Sequence, residues 1–269
     1  MIKRAITFVL VLGLAFALGS GTSFAKKKVY EGGAPGSGSI SGTVTYNGPL
    51  KDVKIDLAKA KNPEFCVTHP DADKATMTRV DHKITANGGK LMDAMVFIEN
   101  IDKGKDWPKV TTKIDFAKCA ITPKMFPIRK TERWMKKEKF VNTVIENHDP
   151  NILHNPHGYS VAGANRKTLF NKPLPSQGDK ADVTKSFKRF KKKKDKHFFV
   201  QCDQHNFMES DGRIVWNPYY AITGADGTFK IDGIPDGKYK VTAWHPYAGS
   251  STQEIEVKGA VTADFEVKK

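Results

Sequence analysis

The interpretation of this sequence depends on one stretch, Phe198-Phe199-Val200-Gln201-Cys202-Asp203-Gln204-His205-Asn206-Phe207-Met208. Its apolar first part is typical of a buried β-strand, and the strand ends at a cysteine. The loop that follows returns a histidine and then a methionine in a close C-x-x-H-x-x-M spacing. Because a thiolate, an imidazole and a thioether are soft ligands, we predict that this strand and loop bind a metal ion.

A further ligand has to come from an earlier part of the chain. A histidine ligand is available in the segment that follows a predicted strand, Asn147-His148-Asp149-Pro150-Asn151-Ile152-Leu153-His154-Asn155-Pro156-His157. One thiolate and two imidazoles in a plane, with a weak axial thioether, are the ligands of a type 1 (blue) copper site. The predicted ligands are therefore Cys202, His205 and Met208 together with a histidine of this segment, for which His154 and His157 are the candidates.

Two other interpretations of these residues stay open. Cys202 could be an incidental thiol in a surface loop, or the bound metal could be zinc. A structural zinc site usually has more thiolates or imidazoles than one such loop provides, and methionine is a poor zinc ligand. We therefore predict one type 1 copper ion as the cofactor.

The two motifs together resemble the ligand segments of cupredoxins, the blue copper family of plastocyanin and amicyanin. Amicyanin is the closer match, since it also has His-Asn-x-His in the first segment and a short ligand loop. The resemblance implies a Greek-key β-sandwich over residues 91–217. It also implies the ligands His154, Cys202, His205 and Met208, with His157 as the alternative to His154, because the first histidine of His-Asn-x-His binds copper in that family. It also implies that Asn155 joins the two ligand loops by hydrogen bonds, and that His205 lies near the surface and passes the electron.

The two ends of the chain resemble the halves of a carboxypeptidase regulatory-like (transthyretin-like) domain. Residues 38–45 look like the start of such a domain, and the alternating strands and turns after Thr223 look like its second half. We therefore predict an all-β protein in which the cupredoxin sandwich is inserted into a small transthyretin-like sandwich, formed by residues 39–90 and 218–269. The alternative is that two unrelated groups of strands flank the centre.

The first 25 residues are not expected to belong to the fold. A basic head, Met1-Ile2-Lys3-Arg4, precedes an apolar run and the small-x-small site Ser23-Phe24-Ala25, which is typical of a secretory signal peptide (residues 1–25). A membrane anchor is the alternative, but the apolar run is short for a bilayer span. We expect export to the periplasm, a flexible leader over residues 26–38, and no membrane span in the mature protein.

Cys66 and Cys119 are the two cysteines outside the ligand loop. In an oxidising compartment, two of three cysteines are expected to pair, and Cys202 has a separate role. We therefore predict a disulfide between Cys66 and Cys119, which closes a loop and stabilises the fold by at most about 4 kcal/mol. Two unpaired buried thiols are the alternative.

The formal charge is +15 and falls to +13 when Lys3 and Arg4 are removed with the signal peptide. Strong positive charge usually indicates a nucleic acid partner, but export argues against one, and an acidic protein, an anionic surface or a lipid headgroup is the better expectation. The run Lys185-Ser186-Phe187-Lys188-Arg189-Phe190-Lys191-Lys192-Lys193-Lys194-Asp195-Lys196 directly precedes the Cys202 strand. It is either a patch for such a partner or a solvated turn.

Four protein ligands leave no position on the metal for a substrate, and the sequence has no second His-x-His cluster of the multicopper type. We therefore expect no enzymatic activity. The predicted function is to carry single electrons between periplasmic redox proteins, such as an acidic c-type cytochrome. The alternatives are a periplasmic copper carrier and a non-enzymatic scaffold in which copper is structural.

Overall fold

Short alternating segments separated by turn residues form β-strands throughout residues 30–269, the part of the chain that the computed structural model describes. The prediction of an all-β sandwich protein is confirmed, since only two short α-helices interrupt the strands of this part. The predicted signal peptide and residues 26–29 of the predicted leader lie outside the described residues. The prediction that the whole leader is flexible is wrong, because Glu31–Gly33 form a strand that pairs with Lys103–Lys105. Within residues 30–269, no helix is long and apolar enough to cross a membrane.

In chain order, the strands are β1 (Glu31–Gly33), β2 (Gly38–Thr45), β3 (Asp52–Asp56), β4 (Ala72–Asp73), β5 (Thr78–His82), β6 (Ala86–Asn87), β7 (Lys90–Leu91), β8 (Met95–Ile98), β9 (Lys103–Lys105), β10 (Thr112–Ala117), β11 (Ala120–Thr122), β12 (Met125–Arg129), β13 (Thr143–Asn147), β14 (Pro156–Ala162), β15 (Asn165–Asn171), β16 (Lys180–Asp182), β17 (His197–Cys202), β18 (Glu209–Val215), β19 (Tyr220–Ile222), β20 (Thr228–Ile234), β21 (Gly237–His245), β22 (Gly249–Val257), β23 (Ala260–Thr262) and β24 (Phe265–Glu266). The helices are α1 (Pro63–Cys66) and α2 (Arg133–Lys137), with 3-10 turns at Leu57–Lys59 and Thr184–Phe187.

Sandwich A consists of two sheets formed by β10 to β18. The strand order is β11-β10-β13-β16 in one sheet and β12-β18-β17-β14-β15 in the other. Because side chains alternate between the faces of a strand, Phe198, Val200 and Cys202 of β17 share one face. All three are fully buried in a core to which Ile114 and Phe116 of the facing sheet contribute. The thiol of Cys202 therefore points into the interior of sandwich A.

Sandwich B joins the two ends of the described chain. Its sheets have the orders β19-β8-β21-β22 and β20-β2-β7-β6, and β23 and β24 also pair with β2. Its core contains Ile40 and Val44 of β2 together with Phe229, Ile231 and Val241 from the C-terminal strands. The chain thus leaves sandwich B after β8, forms sandwich A, and returns to sandwich B at β19.

The strand pairing corrects the predicted domain boundaries at two places. Met95–Ile98 was assigned to the central sandwich, but it pairs with β19 and β21 of sandwich B. Residues 52–82 were assigned to the outer sandwich, but they form a separate sheet, β3-β5-β4, with α1 beside it. Leu57 and Cys66 of this capping segment, residues 52–82, are buried in the core of sandwich A. A short apolar strand fits any buried sheet, so its local pattern does not choose between the two sandwiches.

The junction between the sandwiches is apolar and aromatic. Met95 of sandwich B packs with Met125 and Val215 of sandwich A. The guanidinium of Arg213 lies over the rings of Phe97 and Trp244, at 4.7 and 4.8 Å from their centroids. These contacts hold the two sandwiches together next to the end of β18.

His245, at the end of β21, gives a stability prediction. Burial lowers the pKa of His245 to about 4 from its ordinary 6.5, and its Nδ1 accepts the backbone N–H groups of Tyr247 and Ala248. Because the unfolded chain binds this proton more readily, the contribution of His245 to stability is lost as the pH falls from about 6.5 towards 4. Between about pH 7.5 and pH 5, the wild type should lose about 2 kcal/mol more unfolding free energy than His245→Asn, whose amide keeps an acceptor and does not titrate.

Urea unfolding at the two pH values measures this difference. The matched control is His82→Asn, which changes an exposed histidine and should follow the wild type. Equal pH dependence of His245→Asn and the wild type would contradict the prediction.

Candidate metal centre

The loop between β17 and β18 is closed tightly on itself by backbone hydrogen bonds. The N–H of Met208 donates to the carbonyl of His205 at 2.8 Å, and the N–H of Cys202 donates to the carbonyl of Met208 at 3.0 Å. Cys202 is the last of the inward-facing residues of β17. The closed loop therefore places the side chains of His205 and Met208 at the same end of the core. His205 and Met208 are each only 1% exposed.

His154 is held beside this loop by a short connection between β13 and β14. It forms an isolated β-bridge with Leu174, and the amide of Asn147 donates to the carbonyls of Ile152 and Leu174 at 2.8 and 2.9 Å. His154 is completely buried, and its ring packs 5.4 Å from the ring of Phe116. The connection therefore has little freedom to move the imidazole away from the thiol.

The three nitrogen and sulfur donors converge on one point. Sγ of Cys202 lies 3.6 Å from Nδ1 of His154 and 3.8 Å from Nδ1 of His205. Metal–ligand distances of roughly 2.0–2.3 Å at an angle near 120° separate a nitrogen and a sulfur ligand by about 3.8 Å. The observed spacing therefore fits a single small ion, and the soft thiolate and imidazole donors fit copper.

Both imidazoles present the same nitrogen to the sulfur and use the other nitrogen to hold their orientation. Nε2 of His154 donates to the buried carboxylate of Asp149 at 2.9 Å. Nε2 of His205 donates to Oδ1 of Asn62, in the capping segment, at 3.2 Å. Such hydrogen bonds fix the tautomer, so that both Nδ1 lone pairs are directed at Cys202 and are free to bind a metal.

The electrostatics of the pocket favour the thiolate. Burial alone raises the pKa of Cys202, but the adjacent imidazoles of His154 and His205 and the N–H of Asn155 lower it to about 6. Burial lowers the pKa of His154, but Asp149 and Cys202 outweigh burial and raise it. A thiol that ionises near neutral pH is ready to bind a metal.

Asn155 makes hydrogen bonds to both Cys202 and Asp203 of the neighbouring loop. Its N–H donates to Sγ of Cys202 at 3.4 Å, its side-chain amide donates to Asp203 at 3.3 Å, and its carbonyl accepts the N–H of Asp203 at 3.0 Å. The loop that carries His154 is thereby fixed to the loop that carries Cys202.

The alternative ligand His157 lies outside the cluster. Nδ1 of His157 contacts the carboxylate of Asp203 at 3.2 Å, Nε2 contacts Thr168 at 3.0 Å, and its ring stacks on Tyr159. Both ring nitrogens thus have other partners, and the geometry favours His154. His148, the extra histidine of the turn, is exposed and pairs with Asp115 at 3.0 Å.

The expectation that His205 lies near the surface is wrong. Its ring is covered by the capping segment, and the paired sulfurs of Cys66 and Cys119 lie within 4.8 Å of a ring nitrogen. Asn62, its hydrogen-bond partner, is exposed. His205 is therefore separated from solvent by the width of one residue, and the nearest surface is provided by Asn62.

The structure pairs Cys66 with Cys119, and this disulfide joins the capping segment to the turn between β10 and β11. In that turn the N–H groups of Lys118 and Cys119 donate to the carboxylate of Asp149, at 2.5 and 3.0 Å. The same bridge therefore connects the elements that orient both histidines, Asn62 on one side and Asp149 on the other.

Sequence reasoning missed Asp149 and Asn62. Asp149 could have been found, since it lies in the turn five residues before His154 and a ligand histidine commonly has a carboxylate partner. Asn62 has no comparable signal, because its contact with His205 depends on how the capping segment packs.

Replacing Asn62 should weaken metal binding without unfolding the protein. Asn62 has a positive φ of 55°, so Asn62→Gly keeps a favourable backbone conformation and removes only the side chain. Loss of an orienting hydrogen bond typically lowers metal affinity by about ten- to a hundredfold. Competition with a copper chelator measures the change. Asn47→Gly, an exposed turn position of sandwich B, is the matched control, and equal affinities of the two variants would contradict the prediction.

Comparisons with known proteins give only remote likenesses. No family model and no curated protein match the chain, so the resemblance of sandwich B to regulatory-like domains stays a prediction. Among solved structures, a Cu-containing nitrite reductase from Thermus scotoductus SA-01 is similar at 13% identity over 41% of this chain, with a TM-score of 0.28. The match covers 24% of the reductase, so the chain spans about a quarter of its length.

Two smaller copper-protein structures are similar to the same extent. A purple cupredoxin from Nitrosopumilus maritimus shows 16% identity over 39% of this chain and 99% of its own, with a TM-score of 0.28. A mutant of amicyanin in the Cu(I) state shows 14% identity over 39% of this chain and 82% of its own, with a TM-score of 0.26. These scores are too low to assign the chain to a family.

Proposed function

We propose that this protein binds one type 1 copper ion through His154, Cys202, His205 and Met208 and carries single electrons. The observation that supports the proposal is the convergence of one Sγ and two Nδ1 atoms, with both Nε2 atoms engaged elsewhere. When bound, copper supplies a couple between Cu(I) and Cu(II). Four protein ligands leave no position for a substrate, so catalysis at the metal is not part of the proposal.

The surrounding residues suit a carrier whose ligands move little between the two oxidation states. Asp149 and Asn62 hold the imidazoles, the N–H of Asn155 holds the sulfur, and the buried core excludes water. Because these groups are fixed before the electron arrives, little reorganisation accompanies its transfer. The electron would leave through His205 and the exposed Asn62, which replaces the direct exit at His205 that sequence reasoning assigned.

Reversible voltammetry of the copper-loaded protein tests this function. A reversible one-electron wave, with copper retained over repeated cycles, is the expected result. A protein that instead releases Cu(I) to a chelator within seconds would be a copper carrier, and the electron-transfer proposal would fail. The complete burial of His154 and the cover over His205 favour retention over release.

The proposed setting is the periplasm, and the proposed partner is an acidic redox protein such as a c-type cytochrome. The signal peptide predicted from the sequence supports the location. The formal charge of +13 that remains without it supports a partner of negative net charge. The basic run of residues 185–196 lies at the start of β17, and a strand rises ~3.3 Å per residue, so the run is on the order of 20 Å from Cys202. It would steer a partner electrostatically, while the electron leaves elsewhere.

Neutralising this run should therefore slow encounter without changing the copper site. We expect the triple variant Lys191→Ala, Lys193→Ala and Lys194→Ala to slow electron transfer to an acidic cytochrome several-fold at low salt. The effect should vanish at high salt, because charges are screened over ~8 Å at physiological ionic strength. Stopped-flow kinetics measures the rates. If they do not respond at any ionic strength, the run is only a solvated turn.

A further inference from the structure

A cleft lies at the junction of the two sandwiches, remote from the candidate metal centre. A cleft of about 740 Å³ is lined by Val215 and Trp216, at the far end of β18 from Met208. At ~3.3 Å per residue, the length of this strand places the cleft on the order of 25 Å from Met208. Neither the ligands nor the residues that orient them reach it, so its features need a separate explanation.

The cleft has a strong excess of positive charge. Two acidic residues, Asp102 and Glu132, line it. The basic residues that line it come from the segment around α2 and from the basic run, and they are Arg129, Lys130, Arg133, Lys136, Lys188 and Lys192. Cations gathered around a concave surface attract and retain anions.

Arg129 is the group that most clearly lacks a ligand. It is only 8% exposed, and one nitrogen, Nη2, donates to Glu132 at 2.8 Å. Its Nε and Nη1 are buried and make no hydrogen bond within residues 30–269. Because a buried charged donor without an acceptor is costly, the two nitrogens indicate a site for an anionic oxygen.

The walls of the cleft are aromatic. The guanidinium of Arg129 lies over Trp107, at 4.0 Å from the ring centroid, and Tyr30 meets Trp107 edge-on at 6.1 Å. Trp216 contributes a further ring to the lining. Flat rings beside a fixed cation suit a ligand that has a flat apolar body and an anionic group.

The basic run is anchored above this cleft by its two phenylalanines. Phe187 and Phe190 are buried and stack at 5.2 Å between ring centroids. This anchoring places Lys188 and Lys192 in the lining of the cleft. The run is therefore divided between lysines that face the cleft and exposed lysines that do not, such as Lys193 and Lys194.

We propose that this cleft binds a small organic anion with a flat aromatic body, such as an aromatic carboxylate. The anionic group accepts hydrogen bonds from Arg129 and is surrounded by Lys188 and Lys192, and the ring packs against Trp107. The volume falls within the range of small-molecule sites, which often lie between domains. The residues that precede Tyr30 in the sequence include Lys26-Lys27-Lys28, whose charge has the same sign as the cleft and does not supply the anion.

Isothermal titration calorimetry of the full chain with 2-naphthoate tests the proposal. We expect saturable binding that is at least about tenfold weaker in the double variant Lys188→Ala and Lys192→Ala and in Arg129→Gln, since each loses charged hydrogen bonds or attraction. The matched control, Lys193→Ala with Lys194→Ala, removes the same charge outside the cleft and should bind like the wild type. Thermal unfolding checks each variant, and the lysine pair decides the matter if Arg129→Gln does not fold.

Three outcomes would overturn the proposal. The first is the absence of saturable 2-naphthoate binding. The second is an equal loss in the control pair, which would show a general effect of charge. The third is equally tight binding of neutral 2-naphthamide or of inorganic phosphate, which would remove the need for the charge or for the ring, respectively. Because the probe contains no metal and the readout is heat, these outcomes are independent of the copper proposal.

Discussion

Cys202→Ser, loaded with one equivalent of Cu(II), is expected to lose the intense visible absorption of the wild type completely. Only the thiolate can give an intense sulfur-to-copper charge-transfer band, and a serine oxygen cannot replace it. The fold should persist, because the buried hydroxyl can use the contacts that Cys202 makes with His154 and the N–H of Asn155. We expect a change in unfolding free energy of about 1–2 kcal/mol at most.

Absorption spectra of the two proteins, with circular dichroism as the check of folding, measure this effect. A folded Cys202→Ser protein that keeps the intense band would exclude Cys202 as the ligand. The disulfide leaves Cys202 as the free cysteine among the described residues, so no other thiol there can take its place.

His154→Ala should remove almost all of the same band, whereas His157→Ala should leave it largely unchanged. The two variants make the same chemical change three positions apart, and only His154 directs a ring nitrogen at Cys202, at 3.6 Å. Asp149 would still accept two backbone N–H groups in His154→Ala, so the protein should fold. Titration with Cu(II) followed by absorption compares the variants. Bleaching by His157→Ala alone would reverse the assignment of the ligand.

The clustering of the candidate ligands could be predicted from local sequence. Cys202, His205 and Met208 lie on one strand and one short loop, so their order alone brings them together. The class of fold was equally accessible, since alternation with a period of two along β2, β20 and β21 is a property of each segment. The Cys66–Cys119 pairing followed from counting cysteines, with Cys202 set aside.

What could not be predicted depends on packing between distant segments. The capping segment has the pattern of ordinary strand sequence, and nothing in it shows that it packs on sandwich A and covers His205. The same holds for Met95–Ile98, which would fit a buried sheet in either sandwich, and for Asn62. The cleft was also missed, because Arg129 and Lys188 are 59 positions apart and meet only in the folded chain.

The capping segment over His205 determines which surface lies nearest to the candidate metal centre. A direct contact with the imidazole is prevented, and under the proposed function a partner would reach the exposed Asn62 and its neighbour Lys61, whose Nζ donates to Gln204 at 2.6 Å. The disulfide ties this cover to sandwich A, and loop closure of this length stabilises it by about 4 kcal/mol. The capping segment is thus held firmly over His205, and a protein that exchanges electrons with the centre would dock on this segment.

The most direct measurement is the visible spectrum of the wild-type protein after addition of one equivalent of Cu(II). The geometry of Cys202 between two Nδ1 atoms, in a buried core that also contains Met208, predicts an intense thiolate-to-copper band that saturates at one ion per chain. A weak, pale spectrum, or saturation at another stoichiometry, would contradict a type 1 copper centre.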